Sequence, residues 1–211
     1  MLRDLYLILN NITIVSYFIP IIILLSIERG RIVQNLPLSV FCFLNSFFIL
    51  ISVLFAYIFK NCFPVYHFWV FLTLICIFWY YFEMKFYQNL IKLLALFATI
   101  IFVYETFIMN CILENNLIMT IYSNAVISFI AFMHLFKIIK DEIKIHNFIL
   151  QKNFDIALSI FYSASFFISL FETKIKEQND YFFYIIFSIY SILIIIENLI
   201  FSKIIWKLKQ N

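Results

Sequence analysis

The sequence predicts an all-α polytopic membrane protein: a seven-helix transmembrane bundle with its amino terminus outside and its carboxyl terminus in the cytoplasm. Composition is the first observation behind this class. Of the 211 residues, 65% are hydrophobic and only 13% are charged, and the mean hydropathy is +1.01. Soluble domains average about 25% charged residues and could not bury this much apolar surface. The chain therefore belongs in a lipid bilayer.

The second observation is that the apolar residues form seven runs, each close to the length of about 20 residues that crosses a bilayer as a helix. Polar breaks between the runs are short, and the longest, 137–152, is far below domain size. We therefore predict one transmembrane domain over residues 1–211. Its spans cover about residues 5–27, 36–58, 65–84, 90–112, 117–137, 153–172 and 181–203.

The distribution of Lys and Arg predicts the orientation. Eleven of the fifteen basic residues lie on the side of the membrane where spans one, three, five and seven end. The other four lie on the side of the amino terminus. The positive-inside rule then places the carboxyl terminus in the cytoplasm. In a bacterium, the membrane concerned is the inner membrane. The basic stretch KIIKDEIKIH, residues 137–146, is amphipathic and is expected to lie along the inner membrane surface.

The same composition excludes several classes of function. The chain has a single glycine, Gly30, so phosphate-binding loops, nucleophile elbows and glycine dimerisation motifs are impossible. Its four cysteines and three histidines show no metal-ligand spacing. We therefore predict no catalytic residues, no metal and no cofactor. The net charge of +3 reflects membrane anchors and does not indicate nucleic-acid binding.

Polar residues inside the spans are the candidate functional groups, because such residues are costly in lipid. Their depth follows from their distance to the nearest turn, at a rise of about 1.5 Å per residue. One set falls in the outer half and is the candidate ligand site: Asn10, Asn11, Tyr104, Glu105, Tyr122 and Asn124.

A second set falls in the inner half, and Asn45 lies near the middle of its span. These residues are candidates for a relay, or for packing through hydrogen bonds between helices. The set comprises Asn45, Glu83, His134, Asp155, Glu197 and Asn198. Both interpretations stay open from the sequence alone.

Two stretches carry a resemblance: HFWVFLTLICIFWYYFEMKFYQNLIKLL, residues 67–94, and NNLIMTIYSNAVISFIAFMHLFKIIKDE, residues 115–142. They resemble a group of small, largely uncharacterised seven-span membrane proteins of Bacteroidota. In that group an aromatic third span ends in Glu and a Lys-rich turn follows, as Glu83 and 85–92 do here. Some members are encoded beside sensor histidine kinases, so the resemblance implies a signalling role.

Three functions remain open. The first is a non-enzymatic receptor or sensor that binds a small ligand in the outer set and signals through a partner at the basic cytoplasmic face. The second is a small-solute or proton-coupled transporter that uses Glu105 and Glu197. The third is an intramembrane lipid-modifying enzyme that uses Glu83, His134 and Asp155. In each case the lipid bilayer is the surrounding partner.

Overall fold

The protein consists of helices and turns, with no strand, in the part that its computed structural model describes. The described residues are 2–27, 36–109, 111–114, 116–140, 148–178 and 180–210. Among them, seven helices are long and apolar enough to cross a membrane, which confirms the predicted fold class. These spans are Leu2–Leu25, Leu36–Phe59, Phe63–Glu83, Gln88–Ile108, Leu117–Lys140, Gln151–Phe171 and Tyr181–Lys207. The orientation of the termini stays a prediction.

Eight α-helices build these spans. They are α1 Leu2–Ser16, α2 Phe18–Leu25, α3 Leu36–Phe59, α4 Phe63–Glu83, α5 Gln88–Val103, α6 Leu117–Lys140, α7 Phe148–Gln178 and α8 Asp180–Gln210. A π-helical turn, Tyr104–Ile108, extends α5, and a short 3₁₀ turn, Cys111–Leu113, follows it. Helices suit this sequence because lipid offers no hydrogen bonds, so each backbone group must be satisfied within its own segment.

The first span, Leu2–Leu25, is one apolar helix of 24 residues with a local irregularity between α1 and α2, where Tyr17 keeps a right-handed helical backbone. Tyr17 forms a turn between the two helices, and Pro20 lies three residues further on. Proline has no N–H group, so residue 20 cannot donate to the carbonyl of Ser16 as a helical residue would. The missing N–H group of Pro20 therefore explains the irregularity at Tyr17.

Two of the described helices are followed by a residue with a left-handed backbone. Lys60 follows α3 with φ 55°, and Lys85 follows α4 with φ 54°. This conformation usually falls to glycine at the end of a helix, and this chain has almost none. The next helix, α4, begins near Pro64, where the Asn61 side chain accepts a hydrogen bond from the Phe63 N–H at 2.8 Å.

The last two helices extend beyond the predicted spans. α7 and α8 each contain 31 residues. That corresponds to about 46 Å, longer than the about 30 Å of a bilayer core. The predicted break at 173–180 is therefore helical as far as Gln178. The predicted surface stretch 137–146 is helical up to Lys140, and its remainder lies outside the described residues.

The chain divides into two compact units. We call Met1–Arg31 with Ser128–Asn211 the terminal unit, and Ile32–Ile127 the middle unit. In the middle unit, α3 packs against α4 and α4 packs against α5. In the terminal unit, α8 packs against α1, α2 and α7.

Ring and polar contacts give the helix directions within the terminal unit. Tyr6 of α1 contacts Tyr184 near the start of α8, and Ser16 bonds to Asn198 further along it, so α1 and α8 run parallel. α7 and α8 run antiparallel, because Phe154 contacts Phe201 while Ser165 donates to Tyr190. Parallel first and last helices are what a chain with an odd number of spans requires.

Candidate functional site

Glu105, predicted in the outer set, caps the beginning of α6. Its carboxylate accepts hydrogen bonds from the backbone N–H groups of Ile118 at 3.0 Å and Met119 at 2.8 Å. The first turn of a helix lacks internal partners for its N–H groups and carries partial positive charge. The Glu105 carboxylate, from the preceding span, supplies both the missing acceptors and a compensating negative charge. Glu105 is only 3% exposed.

The π-helical turn helps to place this carboxylate. Met109 N–H donates to the Tyr104 carbonyl at 2.9 Å, five residues back. A π turn holds an extra residue and changes the direction in which side chains leave the helix. Here Glu105 is buried while Tyr104 is exposed.

His67, which the sequence did not suggest as a site residue, lies beside this cap in the middle unit. It is 1% exposed. Its Nδ1 lies 3.1 Å from the hydroxyl of Thr106, the neighbour of Glu105. Its Nε2 lies 3.2 Å from the Glu114 carbonyl. A carbonyl can only accept, so we assign the ring proton to Nε2.

Asn116 completes the same end of the middle unit. Its amide nitrogen donates to the Tyr66 carbonyl at 3.3 Å, and its amide oxygen accepts from the Thr120 hydroxyl at 3.2 Å. Together with the Glu105 cap and the His67 bonds, these contacts tie α4, the π turn and α6 to one another. We call Glu105, His67, Thr106 and Asn116 the capping network.

The other predicted outer residues lie on α1 and α6, apart from Tyr104 of the π-helical turn. Tyr122 donates to the Leu94 carbonyl at 2.8 Å, and Asn124 is buried in the middle unit. Asn10 and Asn11 lie on α1 in the terminal unit, half-buried and exposed respectively.

Two residues of the predicted inner set belong to the middle unit. The Asn45 amide oxygen accepts a hydrogen bond from the indole N–H of Trp69 at 2.7 Å, which links α3 to α4. Glu83 is exposed and accepts from the Trp79 indole at 3.2 Å, one turn earlier on α4. Both contacts fit the packing interpretation of these residues.

The remaining inner residues belong to the terminal unit, where His134 and Asp155 form a buried pair. His134 Nδ1 lies 2.7 Å from Asp155 Oδ2, which joins α6 to α7. Asp155 is 0% exposed and His134 is 6% exposed. Both residues belong to the inner set that the sequence predicts.

Asn198 binds the end of the first helix. Its amide nitrogen donates to the Ser16 hydroxyl at 2.9 Å, and this hydroxyl donates to the Thr13 carbonyl at 2.7 Å. Thr13 in turn lies 3.3 Å from the Ser191 carbonyl on α8. The contact of Asn198 therefore lies directly before the irregularity at Tyr17.

Glu197 differs from these residues because part of its carboxyl group is unsatisfied. The residue is 6% exposed, and its Oε1 has no hydrogen-bond partner among the described residues. The helical spacing places it on one face of α8 with buried Ile194 and Phe201. Tyr162 on α7 interacts with it electrostatically.

These side chains share one level of the terminal unit. Phe201 lies one turn beyond Glu197 and contacts Phe154, the sequence neighbour of Asp155. We call His134, Asp155, Glu197 and Asn198 the inner polar layer. Its described contacts are hydrogen bonds between helices. Among the described residues, no group of three or more His, Cys, Asp or Glu side chains could hold a metal ion.

Comparison of the chain with protein-family models, with curated proteins and with solved structures finds no match.

Proposed function

We propose that this chain is a non-enzymatic, receptor- or sensor-like membrane protein that responds at its inner polar layer and signals through a partner at its basic, predicted cytoplasmic face. The observation that carries the proposal is the buried Oε1 of Glu197, which has no hydrogen-bond partner among the described residues. An ionised carboxylate in an apolar interior costs on the order of several kcal/mol unless a partner compensates it. A stimulus that changes the charge or the hydrogen-bond partners of Glu197 therefore changes the free energy of this packing arrangement by a large amount.

The helix that carries Glu197 supplies a route to the membrane surface. α8 packs against α1, α2 and α7, and it continues without a break to Gln210. Lys203 and Lys207 lie on its last part. A shift of α8 at the inner polar layer would move this basic end, because a helix transmits displacement along its axis as a rigid element.

The outer set is a weaker candidate for the responsive site. Its one carboxylate, Glu105, already accepts two backbone hydrogen bonds and serves as a helix cap. A ligand that recruited this carboxylate would have to compete with the first turn of α6. The proposal therefore assigns the response to the inner polar layer.

Gentle purification from native membranes, followed by mass spectrometry of bound molecules, tests the signalling role. We expect a stoichiometric protein partner that is retained by wild type and lost when Lys203 and Lys207 are both replaced by Gln. A Lys92→Gln variant, altered on α5, is the control and should retain the partner. Recovery of the chain with no protein partner would contradict the proposal.

A proton-coupled transporter is the second candidate, and the irregularity in the first span favours it. Transporters often place broken helices beside buried ionisable groups at their binding sites. Here α1 ends at Ser16, whose hydroxyl binds Asn198 in the inner polar layer.

Proton flux distinguishes the two candidates. Liposomes containing the protein and a trapped pH-sensitive dye are given a membrane potential by a potassium gradient and valinomycin. The sensor proposal expects no flux above protein-free liposomes. A flux that Glu197→Gln abolishes would establish the transporter in its place.

A further inference from the structure

We propose that Glu197 is a proton-binding site and that the proton is the stimulus of the inner polar layer. The inference rests on the proposed function for the word stimulus alone, because proton binding at Glu197 can be measured independently of any signalling.

Two unsatisfied oxygens in the terminal unit support this assignment. Glu197 Oε1 on α8 and Ser159 Oγ on α7 are both buried and lack a hydrogen-bond partner among the described residues. Glu197 is 6% exposed and Ser159 is 9% exposed. Buried polar atoms without partners are rare in folded proteins, and each one needs an explanation such as a functional role, a bound ion or a water molecule. α7 and α8 pack against each other along this region.

Glu197 Oε1 and Ser159 Oγ do not bond to each other, and such separate oxygens fit a proton better than a metal cation. Sodium and calcium ions need several oxygen ligands arranged around them. A proton needs a single acceptor oxygen, and the buried, unsatisfied Glu197 Oε1 is such an acceptor. The reaction is the transfer of one proton from hydronium to the Glu197 carboxylate, which leaves a neutral acid and water.

The surroundings of Glu197 offer little charge to stabilise its ionised form. From α7 it meets Tyr162, with Asp155 at the same level and already bonded to His134 of α6. α2 contains no titratable residue, and Tyr17 stands between α1 and α2. The titratable side chains of α1 lie roughly three turns away, at Arg3, Asp4 and Tyr6. On α8 itself, Lys203 is exposed.

Burial without a cation favours the neutral acid over the carboxylate, because the charged form loses its hydration. Raising the pH removes the proton and leaves a charge between α7 and α8. The two helices must then separate enough to admit water, or rotate to bring a donor to Glu197. Proton binding is thereby coupled to the packing of α8.

Infrared spectroscopy of the full chain in lipid vesicles tests the site. Protonated carboxyl groups give a C=O stretching band that carboxylates lack. We expect wild type to show this band at neutral pH and to lose it as the pH rises. Glu197→Gln should lack the band. Glu114→Gln, which alters an exposed side chain, should keep it.

Retention of the whole band in Glu197→Gln would overturn the proposal. Should this variant fail to fold, Glu197→Asp retains the acid and must shift the band in frequency; an unshifted band also contradicts us. Replacing sodium by choline must leave the titration unchanged, and a sodium-dependent midpoint would identify a metal cation instead. If wild type shows the infrared band but no protein partner co-purifies, the sensor proposal is refuted and the proton site stands. If a partner co-purifies but the band is absent, the proton site is refuted and the sensor proposal stands.

Discussion

Glu105 illustrates how a carboxylate within a span can be satisfied by backbone alone. The sequence places it in the outer half of the membrane, where either a ligand or a hydrogen bond between helices explains it. The structure gives it two N–H donors from the first turn of α6. This role could not be predicted from residue types, because helix caps usually come from the residue just before the helix, and here the cap comes from the previous span.

Replacing Glu105 by Gln should destabilise the protein. The amide has only one acceptor oxygen for two backbone donors, so one N–H loses its partner. Loss of a helix cap costs about 1–2 kcal/mol, and unfolding of the purified protein in detergent would measure it. Glu114→Gln is the matched control and should be neutral. A fully stable Glu105→Gln variant with an altered ligand response would restore the outer set as the ligand site.

The buried pair of His134 and Asp155 should contribute a measurable coupling energy. A hydrogen bond between membrane helices contributes on average less to stability than one in a soluble protein, and a charged partner strengthens it. We therefore expect a coupling energy of about 1–2 kcal/mol. A double-mutant cycle with His134→Gln and Asp155→Asn measures this coupling. Additive effects of the two substitutions would show that the 2.7 Å contact contributes no net stability.

At the scale of the helices, the near absence of glycine has a structural cost. Lys60 and Lys85 adopt left-handed conformations that disfavour a side chain by about 1–2 kcal/mol per residue. Both lie just after a helix, where glycine normally serves.

Lys60→Gly should therefore stabilise the protein by about 1 kcal/mol, through relief of this backbone strain. Thermal unfolding in detergent measures the effect. Lys203→Gly, at an exposed position inside α8, provides the contrast and should cost about 1 kcal/mol. Destabilisation by both substitutions would contradict the strain assigned to Lys60.

The sequence predicted the seven spanning helices found among the described residues, because each is a long, predominantly apolar run. It did not predict how far α7 and α8 continue. Hydropathy marks where a helix leaves the lipid, whereas polar residues such as Lys174, Lys176 and Glu177 remain good helix formers in water. The irregularity at Tyr17 was also missed, although Pro20 was visible as the one proline well inside a span.

At the scale of the whole molecule, the contacts between helices show which partners could be predicted from the sequence and which could not. The sequence placed His134 and Asp155 together in the inner set without pairing them, and the structure joins them by a hydrogen bond. His67 was missed because it lies near the start of an aromatic span and shows no metal-ligand spacing. Its partners at Thr106 and Glu114 come from a distant turn whose position depends on tertiary packing.

The orientation of the chain can be read from Cys62, which lies between α3 and α4 on the predicted outer side. It is a half-buried free thiol, and burial raises the pKa of this thiol above its ordinary value. Because the thiolate is the reactive form, labelling should speed up as the pH rises and should lag behind an exposed thiol.

A membrane-impermeant maleimide applied to right-side-out vesicles should label Cys62 in a Cys111→Ser background. Cys62→Ser in that background should abolish the labelling, since Cys42 and Cys76 are buried. Labelling confined to inside-out vesicles would reverse the orientation and with it the proposed cytoplasmic face.

The central claim is that the state of Glu197 is transmitted along α8. Trp206 lies near the end of that helix and is 46% exposed. Fluorine NMR of protein labelled with 5-fluorotryptophan gives it a resonance of its own, assigned with Trp206→Phe, and Trp69 of the middle unit serves as an internal reference. We expect the Trp206 resonance to shift with pH in wild type, to stay constant in Glu197→Gln, and to shift as in wild type in Glu114→Gln. A Trp206 resonance that ignores pH in wild type, or that shifts equally in Glu197→Gln, would contradict the claim.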